Sequence, residues 1–159
     1  MSSLVLPKID YCNSLFSGTS KTNIRSLQVL QNNAARLALK QKRQHEATPL
    51  LKELHWLPIE ERIKYKVACL AYKCMEGSAP EYLTDLVTIY HPQRTLRSSC
   101  DEKRFKTPLV KLKAGEKCFS YSGPSVWNNL PIESRNAPSL EIFKRRLKTH
   151  LFGVAYGRV

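Results

Sequence analysis

The stretch from Leu57 to Gly77, LPIEERIKYKVACLAYKCMEG, constrains the fold more than any other part of the chain. Ile59, Ile63, Val67, Leu70 and Cys74 recur at intervals of three and four, and on a helix of 3.6 residues per turn they fall within a sector of roughly 80°. Pro58 suits a first turn, where its missing N–H costs nothing. Glu60 and Glu61 stand where the helix dipole favours negative charge. Gly77 fits the left-handed residue after a helix, and Pro80 blocks continuation. A central helix over 58–76 is expected, with Ala68 and Ala71 letting neighbours approach closely. Arg62, Lys66 and Lys73 edge its apolar sector, and Tyr65, Cys69 and Tyr72 lie just beyond. Basic residues beside aromatics can offer phosphate and base contacts. The competing reading is a helix buried on two sides, with the tyrosines in a second packing face.

Other helical patterns surround this one. Residues 1–21 read as a short entry and a turn. Thr22 or Asn23 can cap a helix to about Lys40 whose Ile24, Leu27, Leu30, Ala34, Leu37 and Ala38 share a face. Thr48-Pro49 starts a short helix with Leu50, Leu51 and Leu54. His55 and Trp56 turn the chain into the central helix, Trp56 as a packing anchor and His55 as a hydrogen-bonding structural residue. Ser78 and Glu81 match a capping box for a helix of Leu83, Leu86 and Val87. Residues 107–113 and 117–121 have the β-branched and alternating residues of a small hairpin around Ala114-Gly115. Gly123-Pro124 starts a helical turn with Val126, Trp127 and Leu130. Pro138-Ser139 opens a last helix to about Phe152, with Leu140, Phe143, Leu147 and Leu151 as its buried stripe.

The expected fold is therefore mainly α: a compact helical domain of about six helices with a small β-hairpin or irregular basic insertion. Residues 1–90 form a helical region, 91–121 a basic loop and hairpin, and 122–152 the C-terminal helices, in one domain. At 159 residues the chain is long enough to bury about two-thirds of its unfolded surface without staples.

Charge narrows the partners. The sequence holds 26 Lys and Arg against 13 Asp and Glu, a net +13, which favours polyanions such as RNA, DNA or an anionic membrane surface. Residues 46–90 are net −2, whereas 1–45, 91–117 and 118–159 carry +6, +5 and +4. Three basic groups are candidate phosphate contacts: Lys40, Lys42 and Arg43 after the first long helix; Arg94, Arg97, Lys103, Arg104 and Lys106 in the loop; and Lys144, Arg145, Arg146 and Lys148 on the last helix. Each can equally be a solvated surface.

Five cysteines at irregular spacing, with no charged segment before an apolar one at the start, predict reduced thiols in the cytosol or nucleus. No C-x₂-C pairing suggests zinc, and no apolar run spans a membrane. Glu60 and Glu61 diverge by about 100° and make no acid/base pair. No phosphate-cradling glycine motif is present. No catalytic, metal or cofactor site is expected.

An ordered series of short motifs carries a family resemblance. It runs through Asp10-Tyr11-Cys12-Asn13-Ser14-Leu15, Leu27-Gln28 with Asn32 to Arg36, His55-Trp56-Leu57-Pro58, Tyr72-Lys73 with Ala79-Pro80 and Tyr82-Leu83, and Arg94-Thr95-Leu96-Arg97-Ser98-Ser99. It continues with Phe119-Ser120, Gly123-Pro124, Trp127-Asn128-Asn129-Leu130-Pro131, Phe143-Lys144 and Leu147 to Leu151. In this order it resembles the region downstream of the polymerase domain in the reverse-transcriptase polyprotein of jockey-like, LINE-type non-LTR retrotransposons, over about residues 4–152. The polymerase of that family uses an Asp-Asp pair to hold two metal ions. This chain has no Asp-Asp, so none of the family's catalytic residues carries over. The resemblance implies a non-catalytic remnant of an RNA-directed DNA polymerase, with RNA or an RNA–DNA hybrid and the parent polymerase domain as partners. The alternative is a structural or protein-interaction domain that packed on that polymerase. A membrane partner is the weaker expectation.

Overall fold

The computed structural model describes residues 2–91 and 103–157. Among them the chain is mainly helical, as expected. The described residues form eight α-helices, six of them seven residues or longer, and no strand. They are α1 (Ser2–Asp10), α2 (Lys21–Ala38), α3 (Ala47–Glu53), α4 (Ile59–Met75), α5 (Glu81–Thr84), α6 (Phe119–Asn128), α7 (Ile132–Arg135) and α8 (Leu140–Tyr156). The chain divides into two units, Met1–Tyr65 with Thr149–Val159, and Lys66–Lys148, so that α4 and α8 each contribute to both.

In the first unit, Ala35, Leu50, Leu51 and Trp56 form a buried cluster against which Leu6, Ala34, Leu39, Leu54 and Tyr156 pack. The Tyr156 hydroxyl donates to the Trp56 carbonyl at 2.6 Å. The start of α4 is tied by two glutamines of α2. The first N–H groups of a helix have no partner within it. Ile59 N–H donates to Gln28 Oε1 at 2.9 Å, and the fully buried Gln31 donates through Nε2 to the Leu57 carbonyl at 2.8 Å. Arg62 reaches α1, where Nε meets Asp10 Oδ1 at 2.8 Å and a second guanidinium nitrogen pairs with Oδ2. His55 ends α3 in the left-handed region, φ 53°, with its ring 5.8 Å from that of Phe152. Trp56 is the expected packing anchor.

The core of the second unit is aromatic. Trp127 and Phe143 are fully buried, and Tyr72 and Phe105 nearly so. The Trp127 ring lies 6.2 Å from Tyr72, 5.7 Å from Phe143 and 5.9 Å from Phe105. Tyr72 stacks on Phe143 at 4.6 Å and donates its hydroxyl to the Ala137 carbonyl at 3.0 Å. Val67, Ala68, Cys69, Ala71 and Cys74 are buried as well. This part of α4 is therefore enclosed on two sides, and the packing reading of its tyrosine flank holds for Tyr72. Gly77 follows α4 at φ 67°, with Ser78 N–H donating to the Lys73 carbonyl at 2.9 Å.

Three local expectations are corrected. Pro80, not Ser78, precedes α5, which is a single turn without a side-chain cap. Ser20 precedes α2, ahead of Thr22 and Asn23. The hairpin around Ala114-Gly115 is absent: 107–113 is irregular, Gly115–Lys117 is a 3₁₀ turn and Phe119 already opens α6. A hairpin there would need one buried face, yet Leu109 and Leu112 are exposed. Phe119 instead covers Gly123, one helical turn on, so closely that a Cβ there would lie 3.0 Å from its ring. This i, i+4 contact exists only in a helix. Over the described residues 107–113 the irregular alternative is the one that fits.

Candidate nucleic-acid interface

The last basic group sits on a firmly seated helix. Ser139 caps α8, its hydroxyl accepting from Ile142 N–H at 3.3 Å. Phe143, Leu147 and Leu151 are buried, as their spacing requires, so Lys144, Arg145, Arg146 and Lys148 take the remaining circumference, and all four are exposed. Arg146 also donates to the Glu133 carbonyl at 2.6 Å, which fixes its guanidinium beside α7. Glu141 shares this outer face, one turn before Lys144 and Arg145, and is exposed with them.

The described part of the loop group, residues 103–106, is anchored more strongly than its composition implies. Residues 88–90 and 104–106 form a short antiparallel ribbon. Ile89 is directly opposite Phe105, Tyr90 N–H donates to the Arg104 carbonyl at 2.9 Å, and Lys106 N–H donates to the Thr88 carbonyl at 2.8 Å. Side chains alternate across such a ribbon. Phe105 is buried, whereas Ile89, which shares its face, stays 40% exposed. Thr88, Tyr90, Arg104 and Lys106 take the other face and are exposed as well.

Side chains from α6 and α7 hold the second segment of the ribbon. The Lys103 carbonyl accepts from Trp127 Nε1 at 2.8 Å and from Arg135 Nη1 at 3.1 Å. Phe105 N–H donates to Asn128 Oδ1 at 3.1 Å, and Asn128 Nδ2 donates to the Phe105 carbonyl at 2.8 Å. Lys103 itself is half-buried and pairs with Glu76 at 2.7 Å, so its charge is partly neutralised by the residue that follows α4. Arg94 and Arg97 lie outside the described residues.

Lys40, Lys42 and Arg43 belong to the first unit. They follow α2 in an exposed loop in which Lys40 takes φ 52°. His45 N–H donates to the Lys42 carbonyl at 3.1 Å, and Arg36 Nε donates to the His45 carbonyl at 3.0 Å. The loop is thus folded back on α2 with its three cations outward. Arg62 is committed to Asp10.

Little else in the described residues offers chemistry. No group of three or more His, Cys, Asp or Glu residues could hold a metal ion there, and no helix is long and apolar enough to cross a membrane. Cys12 and Cys118 are exposed free thiols, while Cys69 and Cys74 are buried. Burial pushes the Cys74 thiol and the Tyr72 hydroxyl up from their ordinary values.

No family model matches the chain, and no curated protein or solved structure matches it. Sequence reasoning named the basic residues and missed Tyr90, Asn128 and Arg135. Asn128 stood within the motif Trp127 to Pro131 but was not separated from its neighbours. The pairing of 88–90 with 104–106 left no local signal, because the two segments are not adjacent in sequence.

Proposed function

We propose that the chain is a non-catalytic nucleic-acid-binding segment derived from the region downstream of the polymerase domain in a non-LTR retrotransposon reverse transcriptase. It binds RNA or an RNA–DNA hybrid. The observation that carries the reading is α8: four consecutive or near-consecutive cations, Lys144, Arg145, Arg146 and Lys148, exposed on a helix whose opposite stripe is buried. Such a helix presents fixed positive charge to a phosphate backbone at little conformational cost. Arg104 and Lys106 add to the charge of the same unit.

The test is fluorescence anisotropy with a labelled structured RNA and duplex DNA over a salt series. The expected result is about micromolar or tighter binding that weakens log-linearly with salt, with a slope reduced by roughly 3 when the four α8 cations are changed to Gln. No binding at low salt overturns the reading.

A second reading rests on the first unit. Leu4, Tyr11, Leu15, Val29, Leu30 and Leu37 are exposed there, and contiguous exposed apolar surface is what marks an interaction site. An interaction domain that once packed on a polymerase would carry such a surface. Self-association that is abolished by Leu30→Lys and Leu37→Lys, in a chain that binds no nucleic acid, would favour it.

A further inference from the structure

Beyond the last ribbon bond, from Lys106 N–H to the Thr88 carbonyl, residues 106–110 contain no helix, turn or bend. Pro108 has no N–H, and the N–H groups of Thr107, Leu109, Val110 and Lys111 make no hydrogen bond among the described residues. Leu109 is 103% exposed and Leu112 73%. Lys106, Lys111, Lys113 and Lys117 are exposed as well, and none of them forms an ion pair among the described residues. Glu116 is the one carboxylate of 106–117. A single exposed leucine is ordinary. Two leucines on a straight, unbonded backbone, interleaved with lysines, offer apolar, polar and charged contacts at once.

We propose that residues 106–113 dock on another protein as an added β-strand, their backbone pairing with an unpaired strand edge and their leucines entering an apolar groove rimmed by carboxylates. This docking stands apart from the nucleic-acid reading above. Strand addition takes its affinity from main-chain hydrogen bonds and its specificity from pockets for side chains. Residues 107–111 match the common strand length of about 5–6 residues. Charge selects the partner. Like charges directly opposite each other in a strand pair are destabilising, and opposite charges stabilise it. A second copy would set lysine against lysine, the device by which exposed edges avoid self-pairing. A partner with Glu or Asp facing Lys111 and Lys113 turns the same charges into attraction. RNA would satisfy the lysines and leave both leucines and the backbone N–H groups in water.

Both ends of the segment are held. At its start, Asn128 Nδ2 donates to the Phe105 carbonyl at 2.8 Å and to Thr107 Oγ1 at 3.3 Å. Towards its end, Gly115 N–H donates to the Leu112 carbonyl at 2.9 Å. Val110 packs over Gly115 so closely that a Cβ there would lie 3.1 Å from its Cγ1. The residues between these two anchors have less freedom to lose on docking than a free peptide has, and a pre-organised segment binds more tightly for that reason. No turn has to open first, because 106–110 contains none.

The experiment titrates the isotope-labelled full chain with a soluble peptide of alternating Glu and Val, read by amide NMR. Binding with a Kd of about 0.01–1 mM is expected. The amides of Leu109, Val110 and Lys111 should shift and exchange their hydrogens about ten-fold more slowly. A fully N-methylated peptide, which has no backbone donors, should bind at least about five-fold more weakly. A peptide with Lys in place of Glu should not bind. Leu109→Ser combined with Leu112→Ser should weaken binding about ten-fold or more, and both positions are exposed, so the fold is retained. Amides of 109–111 that do not respond to the Glu-Val peptide overturn the docking strand. So do shifts that follow the chain's own concentration, which mark a second copy, and shifts produced by RNA and not by the peptide. None of these outcomes bears on the cations of α8.

Discussion

Asn128 holds Phe105 by both of its backbone polar groups, accepting from the N–H at 3.1 Å and donating to the carbonyl at 2.8 Å. In effect a side-chain amide replaces the neighbouring strand that the ribbon lacks. An unpaired buried polar group costs about 1–3 kcal/mol, so Asn128→Ala should destabilise the chain by roughly 2 kcal/mol. Asn128→Asp retains the acceptor, loses the donor and should cost at least as much. Urea unfolding followed by tryptophan fluorescence checks this, with a lower midpoint at unchanged slope. An unchanged midpoint would show the bracket to be dispensable.

The Arg62–Asp10 pair joins positions 52 residues apart and is only partly exposed, at 15% and 23% for the two side chains. Arg–carboxylate forks of this kind are stronger than surface pairs. Asp10→Asn should cost about 1–3 kcal/mol, because it leaves the guanidinium without its charge partner. In a double-mutant cycle with Arg62→Met, the two losses should fall well short of adding. Simple additivity would mean the two groups act independently.

Tyr156 carries a pH dependence. Burial pushes its hydroxyl up to about 12, above the ordinary value near 10 for an unfolded chain. The neutral form is the one the fold favours. Its contribution is therefore complete below pH 10 and lost as pH rises from about 10 to 12. Spectrophotometric titration at 295 nm should show a late-forming tyrosinate that Tyr156→Phe lacks, and stability in that variant should fall less steeply over the same window. Identical alkaline profiles for the two proteins would contradict this.

Gly77 tests the end of α4. Its φ is +67°, and a Cβ there would touch nothing within 4 Å. The cost of Gly77→Ala is thus backbone strain alone, about 1 kcal/mol. Gly77→Asn should cost less, since Asn tolerates the left-handed region, and Gly77→Val more. Melting temperatures should therefore fall from the Asn variant to the Ala variant to the Val variant. Equal melting temperatures would remove the left-handed requirement.

How far the fold could be read in advance depended on how local its causes were. The helices α4 and α8 were legible because Ile59, Ile63 and Val67, and Phe143, Leu147 and Leu151, obey the helical repeat and are buried as it demands. Gly77 and Ser139 were legible because their roles are confined to one turn. The segment 117–121 misled because Phe119 and Tyr121 have strand-like character, and its helix is fixed by Phe119 lying over Gly123. Pro124 misled as a helix start. It lies within α6, fully buried, where packing offsets the missing hydrogen bond. Of the basic candidates, residue type alone could find Lys144 to Lys148. It could not show that Lys103 pairs with Glu76. That pairing joins residues 27 apart in sequence.

The tie between Tyr156 and Trp56, 100 residues apart, bears on the order in which the chain is made. Residues 66–148 form a unit that is continuous in sequence, whereas the other unit needs 149–159. At roughly 5–20 residues per second, Trp56 leaves the ribosome about 5–20 s before the residue that covers it. Pulse proteolysis of ribosome-held chains that end at 148 plus a linker long enough to clear the exit tunnel should cut within 1–65 and spare the later unit. Once residue 148 has emerged, the earlier half of the polypeptide is the unfinished one, and the growing chain completes its middle before its beginning.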